Sequence, residues 1–333
     1  MTRTATLFRL LALLTAALFA ADLFIGSASL SAGEVWEALT GRAADAAVID
    51  IVLKIRLQKA VTALAAGAAL AASGLQMQTL FRNPLAGPYV LGVSSGAGLG
   101  VALFLLGAPL LGVGARSAVQ ALGIVGAAWL GSATVLLAVA AASRRIKDIM
   151  VILILGMMLG SGIGAVVEIL QYLSDEAALK SFVVWTMGSL GDVTADRLAL
   201  LLPAVAAGLA LAVASIKPLN LLLLGEQYAR TTGLDVRRTR QRIFLSTILL
   251  AGTVTAFCGP IGFVGLAVPH LARMLFRSAD HRVLLPASIV AGSALLLACD
   301  LLSRTLALPI NTVTALAGIP VVVYVVLRNR SLF

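Results

Sequence analysis

Few residues in this chain can do chemistry, and their spacing argues against most of it. Cys258 and Cys299 both lie inside apolar runs, and His270 and His281 are its only imidazoles. Neither a disulfide framework nor a structural zinc site can be assembled from that set, and no metal or other cofactor is expected. None of Lys54, Lys59, Lys147, Lys180 and Lys217 stands in a G-x-x-x-x-G-K-[ST] frame, so no glycine loop cradles ATP phosphates and the chain cannot hydrolyse ATP by itself. Serines such as Ser73 and Ser161 have no His or Asp companion at catalytic spacing, which leaves an intramembrane enzyme without a nucleophile. What remains is charge in apolar surroundings: Asp22, Glu168, Arg273 and Asp300 lie within or at the ends of apolar runs. Such charges mark function by default. For Glu168 and Asp300 the expected depth is near an interface, where hydration or a helix-end partner accounts for them. His270 and Arg273, three residues apart, are expected to cap interrupted backbone near the surface.

The elements that must position these groups follow from composition. Of 333 residues, 60% are apolar and only 12% are charged, whereas soluble domains carry roughly 25% charge. A water-soluble globule is excluded. Aromatics make up 5%, and the long Leu/Ala/Val/Gly runs show no alternation of period two, so an outer-membrane barrel does not fit. At roughly 20 apolar residues per crossing, the chain reads as an all-α polytopic membrane protein of about ten transmembrane helices. The candidate spans are 7–26, 58–80, 88–111, 117–141, 149–172, 196–216, 242–258, 262–276, 283–302 and 306–327. The segment 262–276 is short, with Gly259-Pro260 before it and Pro269 inside, which predicts a broken helix buried among its neighbours. Arg3 and Arg9 ahead of an apolar run resemble a signal sequence, but that run is nearly span length and no A-x-A site follows, so a retained first helix is expected. No linker interrupts residues 1–333, which read as a single transmembrane domain.

A net charge of +10 would suit nucleic acid, but the Arg and Lys residues stand in short clusters between apolar runs. That is the positive-inside pattern, and the expected partner is a lipid bilayer rather than a nucleic acid. It puts both termini on the cytoplasmic side, together with Arg82, Arg144, Arg145, Arg237, Arg238, Arg240, Arg242 and Arg277. Small residues recur every fourth position at Gly92, Gly96 and Gly100 and at Gly156, Gly160 and Gly164, predicting two seams of close helix contact. Residues 217–241 form the longest cytoplasmic connection: an apolar stretch from Leu219 to Leu224, a break at Gly225, a polar turn, and a second break at Gly233. Long ordered loops usually carry function, and two short helices on the cytoplasmic face would dock a partner protein.

Three segments carry a resemblance. Arg82-Asn83-Pro84-Leu85-Ala86-Gly87-Pro88 and the residues to Ala97, the Gly225 to Leu234 loop, and Gly259-Pro260-Ile261-Gly262-Phe263-Val264-Gly265 and the residues to Arg273 resemble the FecCD family. The similarity runs in order from about residue 50 to the C-terminus. The family comprises permease subunits of bacterial ABC importers for iron siderophores, haem and vitamin B12. The resemblance implies an inner-membrane homodimer with a pathway between the copies, two ATPase subunits below and a periplasmic substrate-binding protein above. The 217–241 loop then matches the family's coupling helices, with Glu226, Gln227, Tyr228, Ala229, Gly233 and Leu234 against the ATPase. Arg56, Lys59 and Arg304 match positions that meet acids of the binding protein. The family's L-R-L-P-R run reads Ile55-Arg56-Leu57-Gln58-Lys59 here, and a lysine keeps the charge without the bidentate fork. Met157, Met158 and Ser161 are expected along the pathway. The cargo expected is an iron chelate, a siderophore or haem, with vitamin B12 as the alternative. An ion-coupled secondary transporter would share the span count and broken helices, but no acid clearly sits at a span centre.

Overall fold

A computed structural model describes residues 3–107 and 117–328 apart from residues 27, 44 and 147. Among the described residues there are helices and no strands. In chain order they are α1 (Arg3–Phe24), α2 (Ala32–Leu39), α3 (Ala46–Leu80), α4 (Val93–Gly107), α5 (Ser117–Ala142), α6 (Ile149–Leu173), α7 (Glu176–Thr186), α8 (Ala195–Ala214), α9 (Ile216–Leu223), α10 (Glu226–Thr231), α11 (Val236–Cys258), α12 (Val264–Phe276), α13 (His281–Leu306) and α14 (Ile310–Arg328). Seven of these, α1, α3, α5, α6, α8, α11 and α13, are long and apolar enough to cross a membrane, while α4, α12 and α14 are shorter apolar helices. Of the ten expected spans, seven fall on the long helices, and 88–111, 262–276 and 306–327 fall on the shorter ones. The expected span 58–80 extends back to Ala46 through a π-helical stretch, Asp50–Leu57. The expected span 88–111 opens instead with a single 3-10 turn, Pro88–Leu91, before the left-handed Gly92 (φ 77°). Its last residues, 108–111, lie outside the described residues, as does Lys147.

The centre is α3. Its apolar window is 89% buried, against 11% for α1 and 17% for α6, so α3 is enclosed by protein while α1 and α6 present apolar faces outward. Side-chain volume explains how it fits. A Cβ on Gly67 would overlap the carbonyl oxygen of Gly292 in α13, and one on Gly74 would overlap that of Gly265 in α12. The backbones touch there, as small residues permit in helix pairs that gain nothing from hydrophobic expulsion. The seam at Gly92, Gly96 and Gly100 is of the same kind: a Cβ on Gly96 would lie 2.5 Å from Gly131 O of α5, and one on Gly100 would overlap Ala127 O. The second trio is only partly a seam. Gly156 packs on Leu91 and Gly160 on Ser95, but Gly164 faces open space.

The interruption between α11 and α12 is buried among its neighbours, as its Gly-Pro signature demands. Gly259 takes φ 71°, and a Cβ there would press on Trp185 O at 2.5 Å. The freed backbone groups are satisfied from elsewhere: Ser189 N donates to Cys258 O at 2.7 Å and Gly262 N to Asn311 Oδ1 at 2.9 Å. Meanwhile α1 packs along α13, with Thr15 Oγ1 3.5 Å from Val290 O and the Phe8 and Phe276 rings 4.7 Å apart. That contact sets Phe8 at the end of the bundle where α12 finishes, and Asp22 at the opposite end.

Replacing Gly96 with leucine should cost the fold about 1–3 kcal/mol or more through overpacking. The expected outcome is a lower melting temperature in detergent for Gly96→Leu, with Gly164→Ala equal to or above the parent. Equal melting of Gly96→Leu and the parent would show that α4 and α5 can separate freely.

Candidate functional site

The 217–241 connection folds as two short helices separated by glycines that no other residue replaces without strain. Gly225 adopts φ 104° and Gly233 φ 85°, conformations L side chains rarely take. Leu219 and Leu222 turn α9 inward while Leu223 and Leu224 stay exposed. On α10, Ala229 is fully buried in a cluster with Leu80, Phe81, Ile243 and Phe244, and Leu234 packs against the same cluster. Glu226 also faces inward. Its two carboxylate oxygens accept from Arg240 Nη2 at 2.9 and 2.7 Å, and Oε1 accepts from Arg230 Nη2 at 2.7 Å. Of the six residues expected against a partner, Gln227, Tyr228 and Gly233 are exposed, Tyr228 by 53%. Glu226, Ala229 and Leu234 instead hold the loop to the body of the protein.

Five residues to which the sequence assigns no role in this loop, Asn220, Asp280, His281, Thr79 and Arg240, complete this anchoring. Asn220, the polar residue in the apolar α9 stretch, donates from Nδ2 to Asp280 Oδ1 at 2.6 Å and accepts at Oδ1 from His281 N at 2.9 Å. His281 Nδ1 lies 2.7 Å from the same Asn220 oxygen and Nε2 lies 2.8 Å from Thr79 Oγ1. A proton on Nδ1 satisfies Asn220 and leaves Nε2 to accept from the Thr79 hydroxyl. The Arg282 N–H and then the Asn220 amide hold the Asp280 carboxyl below its ordinary range. Arg240, buried, also donates from Nη1 to Ile146 O at 3.3 Å. Of these only Asn220 carried a signal, as an isolated polar residue in an apolar stretch.

At the other end, Arg56, Lys59 and Arg304 do converge, but they are turned inward: their relative exposures are 3% for the Arg56 residue and 18% and 12% for the Lys59 and Arg304 side chains. Lys59 Nζ lies 2.9 Å from Asp300 Oδ1, and Arg304 Nη2 lies 2.8 Å from Asp300 Oδ2 and 2.7 Å from Asp22 Oδ1. Arg304 Nη1 donates to Asp22 O at 3.0 Å and Ile25 O at 2.8 Å. Arg56 donates to Leu23 O at 2.9 Å, Phe24 O at 3.1 Å and Ala28 O at 2.7 Å. An exposed cationic patch is thus corrected to a buried network. The physical reason is twofold: the last carbonyls of α1 have no intrahelical donors, and two buried carboxylates require opposite charge. Asp300, expected to be hydrated or capped at an interface, is fully buried between two cations; Glu168 is exposed. Gly26 belongs to the network too, since a Cβ there would lie 2.6 Å from the Arg56 guanidinium.

His270 and Arg273, expected to cap the interrupted backbone, instead tie α12 to the end of α3 and the turn after it, while Ser189 and Asn311 serve the break itself. His270 Nε2 lies 2.7 Å from Pro84 O, Arg273 Nη1 donates to Gln78 Oε1 at 2.7 Å, and Gln78 Nε2 donates to Leu266 O at 3.0 Å. Met157, Met158 and Ser161 lie exposed on α6, away from the core of the chain. Among the described residues no group of three or more His, Cys, Asp or Glu could hold a metal ion.

Comparison with known proteins covers nearly the whole chain. Residues 13–328 match the FecCD transport family. The hemin transport system permease protein HmuU of Yersinia pestis is 38% identical over 97% of this chain and 95% of its own length. The vitamin B12 import system permease proteins BtuC of Klebsiella pneumoniae and Vibrio cholerae are 38% and 36% identical, over 91% and 93% of this chain and 90% of each relative. Among solved structures, a metal-chelate type ABC transporter in an inward-facing conformation superposes with a TM-score of 0.84 at 32% identity, covering 97% of this chain and 99% of that one.

Removing one partner from the buried network leaves a carboxylate uncompensated, which typically costs about 3–5 kcal/mol. Arg304→Gln should therefore lower the melting temperature in detergent sharply. Lys54→Gln, which breaks an ion pair with Asp50 between side chains 67% and 55% exposed, should cost at most about 1 kcal/mol. Comparable losses in the two variants would show that the network is open to water.

Proposed function

The chain belongs to the FecCD transport family of ABC importer permeases, and we propose that it moves an iron chelate, haem or a siderophore, from periplasm to cytoplasm. In this reading two copies enclose the pathway in a bacterial inner membrane, with both termini cytoplasmic. Each copy rests on an ATPase subunit that supplies the hydrolysis this chain has no phosphate loop for, and a periplasmic binding protein delivers the cargo. The observation that supports it is the exposed face of Leu223, Leu224, Gln227 and Tyr228 on glycine-bounded helices whose opposite face is locked to the bundle. A free loop could not move helices, and a fully buried one could not be reached.

The exposed α6 residues Met157, Met158 and Ser161 are assigned to the pathway because α6 is among the least buried of the long helices and a second copy would cover it. Arg56, Lys59 and Arg304 serve the binding protein indirectly in this reading: through Leu23, Phe24, Ile25 and Ala28 they fix the end of α1, where the outer connection that would receive it begins, to α3 and α13. Vitamin B12 is the second reading, favoured by relatives as similar to this chain as the hemin permease is.

Reconstitution with the cognate ATPase and binding protein in proteoliposomes tests both readings, with hemin and cyanocobalamin as alternative cargoes. ATP-dependent hemin accumulation is expected, and cyanocobalamin accumulation without hemin uptake would select the second. Tyr228→Ala, truncating an exposed aromatic of the docking face, should weaken ATPase association by about 2 kcal/mol, roughly 30-fold. Unchanged co-purification and uptake in that variant would remove this face from the interface.

A further inference from the structure

The two anchors of the 217–241 connection run to different parts of the bundle. Glu226 on α10 is bound to Arg240, which is 4% exposed, on α11, and Arg240 reaches onward to Ile146 O in the turn between α5 and α6. Asn220 on α9 is bound to Asp280 and His281 at the start of α13, and His281 reaches onward to Thr79 near the end of α3. Between the anchors stands Gly225, with φ 104° and ψ 150°, where the chain changes direction without a side chain to restrain it. Leu222 and Glu226 on either side of it line a cavity of about 120 Å³ together with Leu80, Arg82, Ile149, Val236 and Arg240. The joint therefore has backbone freedom and stands between residues that border open space.

A doubly hydrogen-bonded ion pair whose cation is buried resists shear, because separating it takes the Arg240 charge from its carboxylate where little water can replace it. The Asn220 amide, donating once and accepting from the N-terminal turn of α13, resists displacement of α9 relative to α13 in the same way. We propose that Glu226 and Asn220 are positioning residues rather than ATPase contacts: they clasp the loop at two points and divide one push between two helix groups. Through Glu226 a displacement of α10 is delivered to α11 and the α5–α6 turn. Through Asn220 a displacement of α9 is delivered to α13 and α3. Gly225 lets the two deliveries differ. This inference rests on the loop's receiving an ATPase, and it reassigns Glu226 within that reading.

The test uses the assembled permease and its cognate ATPase in lipid nanodiscs, followed by hydrogen–deuterium exchange with and without ATP and vanadate. It needs no cargo. Glu226→Gln removes the charge at nearly constant shape, and Asn220→Asp turns the hydrogen bond to Asp280 into a like-charge repulsion while keeping the acceptor for the His281 N–H. Both variants should retain stoichiometric ATPase. Glu226→Gln should lose the nucleotide-dependent change at residues 236–247 and 149–153 and keep it at 75–80 and 281–288; Asn220→Asp should do the reverse. Asp280 Oδ1 accepts from both Asn220 Nδ2 and the Arg282 N–H, so Asp280→Ala should reproduce the Asn220→Asp pattern of losses. A merely structural role would not divide the losses region by region. Release of the ATPase by Glu226→Gln or Asn220→Asp would make these residues contacts and overturn the proposal, as would an equal loss of response in both regions. Failure of the parent chain to retain an ATPase would instead overturn the functional reading, and the clasp with it.

Discussion

Backbone contact along α3 is the constraint from which the rest of the architecture follows. Inside a bilayer helices gain nothing by leaving lipid for one another, so association depends on close packing, and α3 achieves it by presenting Gly67 and Gly74 to the carbonyls of Gly292 and Gly265. No side chain larger than hydrogen fits at either crossing. With α12 and α13 held at that separation, the two ends of α3 become fixed points. Arg56 and Lys59 at its beginning meet α1 and Asp300, and Gln78 and Thr79 at its end meet Arg273 and His281.

Both ends use the same device at different polarity. Where α1 ends and α13 approaches its own end, carbonyls and carboxylates would be stranded, and guanidinium and ammonium groups satisfy them. Where α12 ends and α13 begins, amide, imidazole and hydroxyl groups do the same work in a set of bonds that includes Asn220 of the coupling loop. Such networks are worth little as net stability compared with apolar replacements, yet removing one member is expensive. Their value is positional: each specifies one arrangement of three or more helices, and the loop outside inherits that arrangement through Asn220 and Glu226.

The loop itself contrasts with the bundle. Its helices are one to two turns long and stand alone only because Ala229, Leu219 and Leu222 are buried; short helices are marginal without tertiary contact. Gly225 and Gly233 give it abrupt turns, and the outward residues between them are free to be chosen by a partner rather than by the fold.

Read by itself, the sequence determined what local pattern can determine. Apolar runs required membrane helices, glycines at every fourth residue required close approach for Gly96 and Gly100, Gly259-Pro260 required a break, and Gly225 and Gly233 bounded two short helices. It did not determine where the cations point. Arg56, Lys59 and Arg304 looked outward because positive charge on that side opposes topology, whereas their partners lie across the fold, Arg304 reaching a carbonyl 282 residues away and Arg56 one 33 residues away. Gly164 matched the seam pattern yet faces open space. Asn220 carried no signal beyond polarity in an apolar stretch, and Arg240 and Asp280 were hidden among the other polar residues of their own segments. Periodicity reports which face of a helix is buried, since that depends on residues three and four apart; which atoms meet on that face depends on how helices distant in the chain are packed, and only the tertiary structure decides it.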